Sequence, residues 1–338
     1  MTPTLSRRAA MGRFSAAAFL ATAAGGCRRP AASPNSVHIA NASGGLNLTM
    51  AELMRQQKFL ESFDLMPDVL AVADGSKILG GVYSGSIDVS SMSGFGQVFP
   101  AIEHGADLKI INGAALLPLL ALFTGNKSVR SLKDLEGKTV GVGSLGALVH
   151  QLTVVLLRKF AVDVPRVHFV NIGSSADIFR AVTAGTVDGG AGPASLTDDA
   201  ELYKVRAIPN GNMSAELKEF TYQAGWTSTR VIAAKRDTLV RALAAYAKLF
   251  RFVQQPSSED AFLRARRSVF PNSSDREHLA EWNYLQRYKP FATDLLLDAG
   301  RIRYMQQVNL DFHVQKEMLS FDRVADMSLA MEAQSLLQ

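Results

Sequence analysis

One order of elements occurs twice in this chain and limits the folds open to it: strand, loop of small residues, helix, strand, helix, and a strand that ends in glycine. In the first copy residues 37–40 read as the opening strand and Asn41-Ala42-Ser43-Gly44-Gly45-Leu46-Asn47 as the loop. Residues 48–59 follow with helical apolar spacing at Leu48, Leu53 and Phe59. Strands are expected at 68–73, 87–90 and 108–112, with helices at 76–83 and 98–104 between them. The second copy runs through a strand at 139–142, the loop Gly143-Ser144-Leu145-Gly146, a helix at 147–160 and a strand at 168–172. The loop Gly173-Ser174-Ser175, a helix at 176–184 and a strand at 187–191 complete it. Alternation of this kind predicts an α/β fold of two lobes, each a central mixed sheet flanked by helices.

The break at Gly125-Asn126-Lys127-Ser128 sets the expected lobe boundary. Lobe 2 is then residues 127–214, opened by Ser131 as a helix cap and Gly137 as a helix end. Beyond residues 206–209 the chain is expected to return through 222–226 to lobe 1, made of residues 37–126 and 215–338 with a helical C-terminal region.

Ahead of the repeat lies a different kind of segment. Arg7, Arg8 and Arg13 precede a short apolar, alanine-rich run at 14–24, which is the build of an export signal over residues 1–26. The run is too short to span a membrane. Arg7-Arg8 fits a twin-arginine signal in part, so the export route is open between that and the general one. Cys27, the chain's single cysteine, follows Ala24-Gly25-Gly26, a lipobox-like setting, although cleavage after an alanine of 21–24 is the other option. Residues 27–36, with Pro30 and Pro34, read as a tether. Removing Arg7, Arg8 and Arg13 from the formal charge of +5 leaves +2 on the mature chain, and no basic block is interleaved with aromatics. Nucleic acid is therefore not an expected partner.

In open α/β sheets ligands bind beyond the carboxyl ends of the strands, where helix N-termini offer free N–H groups to an anion. Small residues there let a ligand reach the backbone. Four loops meet this description: Ser43, Gly44, Gly45, Leu46 and Asn47; Ser91, Met92, Ser93 and Gly94; Ser144, Leu145, Gly146 and Ala147; and Gly173, Ser174 and Ser175. Gly192 and Pro193 end a strand at an equivalent place, and Trp226, with Tyr222, Phe95 and Met92, is a candidate apolar wall.

Certain stretches resemble a known family. "KFLESFDLMPD" at 58–68, "VYSGSIDV" at 82–89, "SLKDLEGKTVGVG" at 131–143 and "AVTAGTVD" at 181–188 are similar, in the same order, to the NMT1/THI5-like periplasmic binding proteins of nitrate, sulfonate and taurine importers. The resemblance covers roughly residues 37–252. It implies a periplasmic-binding-protein type II-like fold and the substrate-binding role in an ABC importer, with permease and ATPase subunits as partners. It further implies a small anionic organic solute held in an inter-lobe cleft by hinge closure, and a monomer in the periplasm, lipid-anchored if Cys27 is processed. Many relatives carry an acid beside the proline where this chain has Gly192, which puts a cationic ligand group in doubt.

Enzymatic readings find few residues to use. His38, His104, His150, His168, His278 and His313 show no metal-ligand spacing, and there is neither a G-x-S-x-G elbow nor a P-loop. No cofactor or metal is expected. Asp88 and Asp188, at matching places in the two copies, are expected to share a structural role at a strand entrance. A protein or enzyme related to pyrimidine or thiamine-precursor binding, or a ligand-sensing ectodomain, is the alternative.

Overall fold

The computed structural model describes residues 35–72 and 75–337. The export signal, Cys27 and most of the tether lie outside the described residues. Among the described residues no helix is long and apolar enough to cross a membrane.

The strands are β1 (Ile39–Ala42), β2 (Val69–Val72), β3 (Val89–Ser93), β4 (Leu108–Gly113), β5 (Leu120–Thr124), β6 (Thr139–Val142), β7 (His168–Asn171), β8 (Gly189–Pro193), β9 (Arg206–Asn212) and β10 (Ala224–Ser228). The helices are α1 (Gly45–Gln56), α2 (Gly75–Ser84), α3 (Val98–Glu103), α4 (Leu148–Lys159), α5 (Ser175–Thr183), α6 (Met213–Glu216), α7 (Thr229–Val253), α8 (Glu259–Val269), α9 (Asp275–Tyr288), α10 (Ala299–Asp311), α11 (Phe321–Val324) and α12 (Ser328–Ser335).

Two five-stranded sheets result, ordered β2-β1-β3-β10-β4 and β7-β6-β8-β5-β9. Within each, three strands of the repeat pair in parallel, and one strand from elsewhere in the chain inserts antiparallel next to the third. That is the fold class expected of the duplicated pattern. Asp88 and Asp188 do the same work in each copy. Asp88 accepts the His38 N–H at 2.8 Å just before β1, and Asp188 accepts the Thr139 N–H at 2.9 Å at the start of β6.

Two features differ from the sequence expectation. Residues 120–124 sit in the second sheet, so the chain crosses before β5 and not at 125–128. The break there is the turn after β5, which Asn126 fastens to Asp188 at 2.6 Å. Continuous apolar character across 114–123 hides this strand, because no polar residue marks the crossing. The C-terminal helices also divide between the lobes. Helix α9 packs on lobe 2: Arg276 pairs with Asp199 at 2.9 Å and Arg287 with Asp198 at 2.9 Å, and Tyr284 joins Ala121, Phe123 and Phe179 in the lobe's apolar cluster.

Four segments pass between the lobes; one is the link at 270–274 between α8 and α9, and the other three lie side by side. Ala114 N–H donates to Gln223 O at 3.0 Å and Gln223 N–H to Ala115 O at 2.9 Å. On the other flank Leu116 N–H donates to Pro290 O at 2.7 Å and Ala292 N–H to Ala114 O at 2.8 Å. The crossings near residues 113–119, 213–223 and 289–298 thus form one hydrogen-bonded band.

Candidate functional site

On one side of this band the lobes leave a cleft of about 480 Å³. Lobe 1 contributes Gly44, Gly45, Leu46 and Asn47 at the start of α1, and Arg266, Phe270 and Ser273 around the end of α8. Lobe 2 contributes Ser175, Phe179, Arg180 and Thr183 on α5, then Pro193, Ser195, Leu196 and Tyr203 beyond β8. Glu277 and Glu281 come from α9, and Tyr222 and Gln223 from the crossing band.

The start of α1 is open. Gly44 occupies the cap position in extended conformation, offers no side-chain cap, and is followed by a first turn without an acidic residue. The first N–H groups of a helix have no partner within it and carry partial positive charge. Asn47 is fixed behind them by donating to Ala42 O at 2.9 Å and Met92 O at 3.0 Å, and it accepts from Gln223 Nε2 at 3.2 Å. This leaves Gln223 Oε1 buried without a partner, in a residue only 6% exposed.

Arg266 stands beside that end. Its guanidinium lies 5.2 Å from the centre of the Phe270 ring and reaches Glu281 at 3.6 Å, yet Nε and Nη1 are buried without a hydrogen-bond acceptor. Phe270 in turn borders α1, since a Cβ on Gly45 would meet its ring at 3.4 Å. A charged donor left unmatched costs about 1–3 kcal/mol or more, which an incoming acceptor recovers.

Elsewhere the cleft's polar groups are mated with one another. Ser195 Oγ donates to Glu281 at 2.8 Å, Tyr203 OH donates to Glu277 at 2.7 Å, and Arg180 pairs with Asp177. Burial, then Glu277, pushes the Tyr203 phenol up to about 12, and burial, then Glu281, does the same for Tyr222. Both are neutral across the physiological range. Burial raises Glu277, but hydrogen bonds from Tyr203 and Ser274 outweigh it and hold the carboxyl below its ordinary value.

The four loops expected to share a cleft separate here. Gly44, Gly45, Leu46 and Asn47 line it, as do Ser175 and Pro193. Ser43 is tied by its N–H to Val72 O at 3.1 Å and lies off the wall. Ser91, Met92 and Ser93 are interior residues of β3: Asn41 Oδ1 accepts the N–H groups of Ser91 and Met92, and Ser93 Oγ accepts from Ala42 N. Gly94 abuts Leu148 of lobe 2, with a Cβ there falling 3.3 Å from it, so this side of the molecule is filled. Ser144, Leu145, Gly146 and Ala147 lie by that contact, outside the cleft; Leu145 is 64% exposed, and Gly146 N–H is spent on His150 Nδ1 at 2.9 Å. Gly173 and Ser174 are exposed, and the start of α5 is closed by a capping box in which Asp177 supplies its own negative charge. Trp226 is fully buried in the core with Phe95, and so cannot form a wall. Gly192 is buried beneath Phe179.

Arg266, Phe270, Glu277 and Glu281 are absent from the sequence expectation. The local signal was a helix start: Ser274 caps α9 with Glu277 in a capping box. That motif marks the element, but the approach of α8 and α9 to α1 is a long-range event.

A family model described as NMT1/THI5 like matches residues 57–255. The chain belongs to the NMT1/THI5-like family. No curated protein sequence matches it. Among solved structures, it is similar to the periplasmic aliphatic sulphonate binding protein SsuA of Escherichia coli, with TM-score 0.69, 17% identity and coverage of 87% of this chain and 92% of that one. The alkanesulfonate-binding SsuA of Xanthomonas axonopodis pv. citri bound to MOPS gives 0.67 at 19% identity over 90% and 99%. The C27S mutant of DSZB, a desulfurization enzyme, in complex with biphenyl-2-sulfinic acid gives 0.63 at 13% identity over 89% and 99%. At these identities the likeness is one of fold, shared by sulfonate-binding proteins and by an enzyme.

Proposed function

We propose that this NMT1/THI5-like protein is the solute-binding component of an ABC importer, working in the periplasm, lipid-anchored if Cys27 is processed. It captures a small organic anion in the cleft and presents it to permease and ATPase subunits. The observation that carries this reading is the pairing of two unmatched donors on Arg266 with the uncapped start of α1. Donors of this kind suit a carboxylate or sulfonate, whose oxygens accept several bonds at once. The band of crossings gives the lobes a common axis about which to close.

A binder is favoured over a catalyst by the lining itself. Among the described residues, no histidine borders the cleft, and the Ser195 hydroxyl is bonded to a carboxylate without an imidazole relay. Thermal-shift measurements on the mature chain with sulfonates, carboxylates, nitrate and neutral controls test the reading. Organic anions at millimolar concentration should raise the melting temperature; a rise with neutral solutes alone would refute it.

A further inference from the structure

We infer that the cargo is an aryl anion, a planar aromatic body carrying one carboxylate or sulfonate. This rests on the reading of the cleft as an anion site and specifies what lies behind the charged group.

The polar groups left unmatched stand together at one end: the α1 amides, Gln223 Oε1 and Arg266. Along the rest of the wall the hydroxyls of Ser195 and Tyr203 donate to Glu281 and Glu277, and Arg180, largely exposed, pairs with Asp177. Thr183 is committed as well, donating to the Arg180 carbonyl at 2.8 Å. A polyhydroxylated acid would need donors and acceptors around its whole length, because each hydroxyl buried without a partner is costly. An apolar body needs none.

The shape of the apolar part favours rings. Phe179 faces the cleft from lobe 2 and Phe270 from lobe 1, with Tyr203 and Tyr222 between them on the wall and floor. Phe179 is only 6% exposed and is held edge-on to Phe123 at 5.0 Å and to Tyr203 at 5.4 Å, so the part of its ring that reaches the cleft is fixed in place beside the more open rings of Tyr203, Tyr222 and Phe270. Gly192 makes that position possible, since a Cβ there would lie 2.7 Å from the Phe179 ring and 3.1 Å from Phe123. The residue that withholds an acid from the end of β8 thereby admits an aromatic wall. A volume of about 480 Å³ is in the range of organic ligands and far exceeds a bare inorganic oxyanion.

Calorimetric titration with naphthalene-1-sulfonate, hexane-1-sulfonate, gluconate and sulfate tests this. The wild type should bind the aryl sulfonate about three- to tenfold tighter than the alkyl one, the range of aromatic pairing beyond area burial. Phe179→Leu should lower aryl affinity about tenfold and change alkyl affinity less than twofold. Phe270→Leu, at a half-buried position that tolerates change, should shift the ratio in the same direction should Phe179→Leu fold poorly. Equal or tighter alkyl binding, equal weakening of both by Phe179→Leu, or preference for gluconate would overturn the aryl inference and leave the anion cleft standing. No binding by any of the four would overturn both.

Discussion

Gly44 and Arg266 set opposite limits on what the cleft accepts. Gly44 has φ −60 and ψ 153, a conformation open to any residue, and a Cβ there meets nothing within 4 Å. An aspartate would therefore fit, cap α1 and favour its dipole, contributing about 0.5–1 kcal/mol to stability. The same carboxylate would stand where an anionic ligand belongs. Gly44→Asp should leave the melting temperature equal or higher while weakening an organic anion at least tenfold, read by thermal shift and titration together. Ser144→Trp, on an exposed loop outside the cleft, should leave that affinity unchanged. At this scale the sequence disclosed what is local. Gly44 to Asn47 was legible because a strand, a small-residue loop and a helix follow one another directly. Arg266, Gln223 and Phe270 were not, since they reach the site through helix packing and a lobe crossing. The serines of 91–93 were misplaced because the strand runs three residues further than its apolar part, held by the side chain of Asn41.

Among the elements, α9 couples the two lobes' chemistry. It rests on lobe 2 through Arg276, Arg287 and Tyr284 while Glu281 reaches Arg266 of α8, which packs on α1 through a Ser268–Glu52 hydrogen bond at 3.2 Å. His278 in the same helix is 1% exposed with Nδ1 unpartnered, and burial, then Arg266 and Arg267, holds its pKa below the ordinary 6.5. Burial also lowers His150. The unfolded chain accepts protons near that ordinary value that the folded chain refuses. Stability is thus full above it and declines as pH falls below it. The melting temperature should drop between about pH 7.5 and pH 5.5, and His278→Gln should narrow the drop. An unchanged pH profile in that variant would show that α9 does not carry the effect. Helix α9 was visible as an element from its capping box, whereas its lobe was not: side of attachment depends on ion pairs across some 77 residues or more of sequence.

For the whole molecule, the twofold repeat of the sequence becomes two sheets of matching order, each completed by an antiparallel strand from outside the repeat. The fold was legible to that extent because periodicity and small-residue loops are local signals. The strand β5 escaped notice within an apolar run, and with it the true crossing. Three adjacent crossings are bonded into one band, with the α8–α9 link at 270–274 as a fourth connection, and Tyr222 and Gln223 place the cleft floor on the band. Closure should therefore bring α5 toward α1 and α8 with little change inside either lobe. X-ray scattering with and without an organic anion should show a smaller radius of gyration in the complex; an unchanged radius would mean that the cleft binds without closing.

The most direct examination of the central claim is a crystal structure of the mature chain with an organic anion that stabilises it. The ligand should lie between α1 and α5, with its charged group about 3 Å from the amides of Gly45 to Asn47 and from the Arg266 guanidinium. A ligand seated at the loop of residues 143–147, or one whose charged group turns toward Phe179 and away from Arg266, would contradict it.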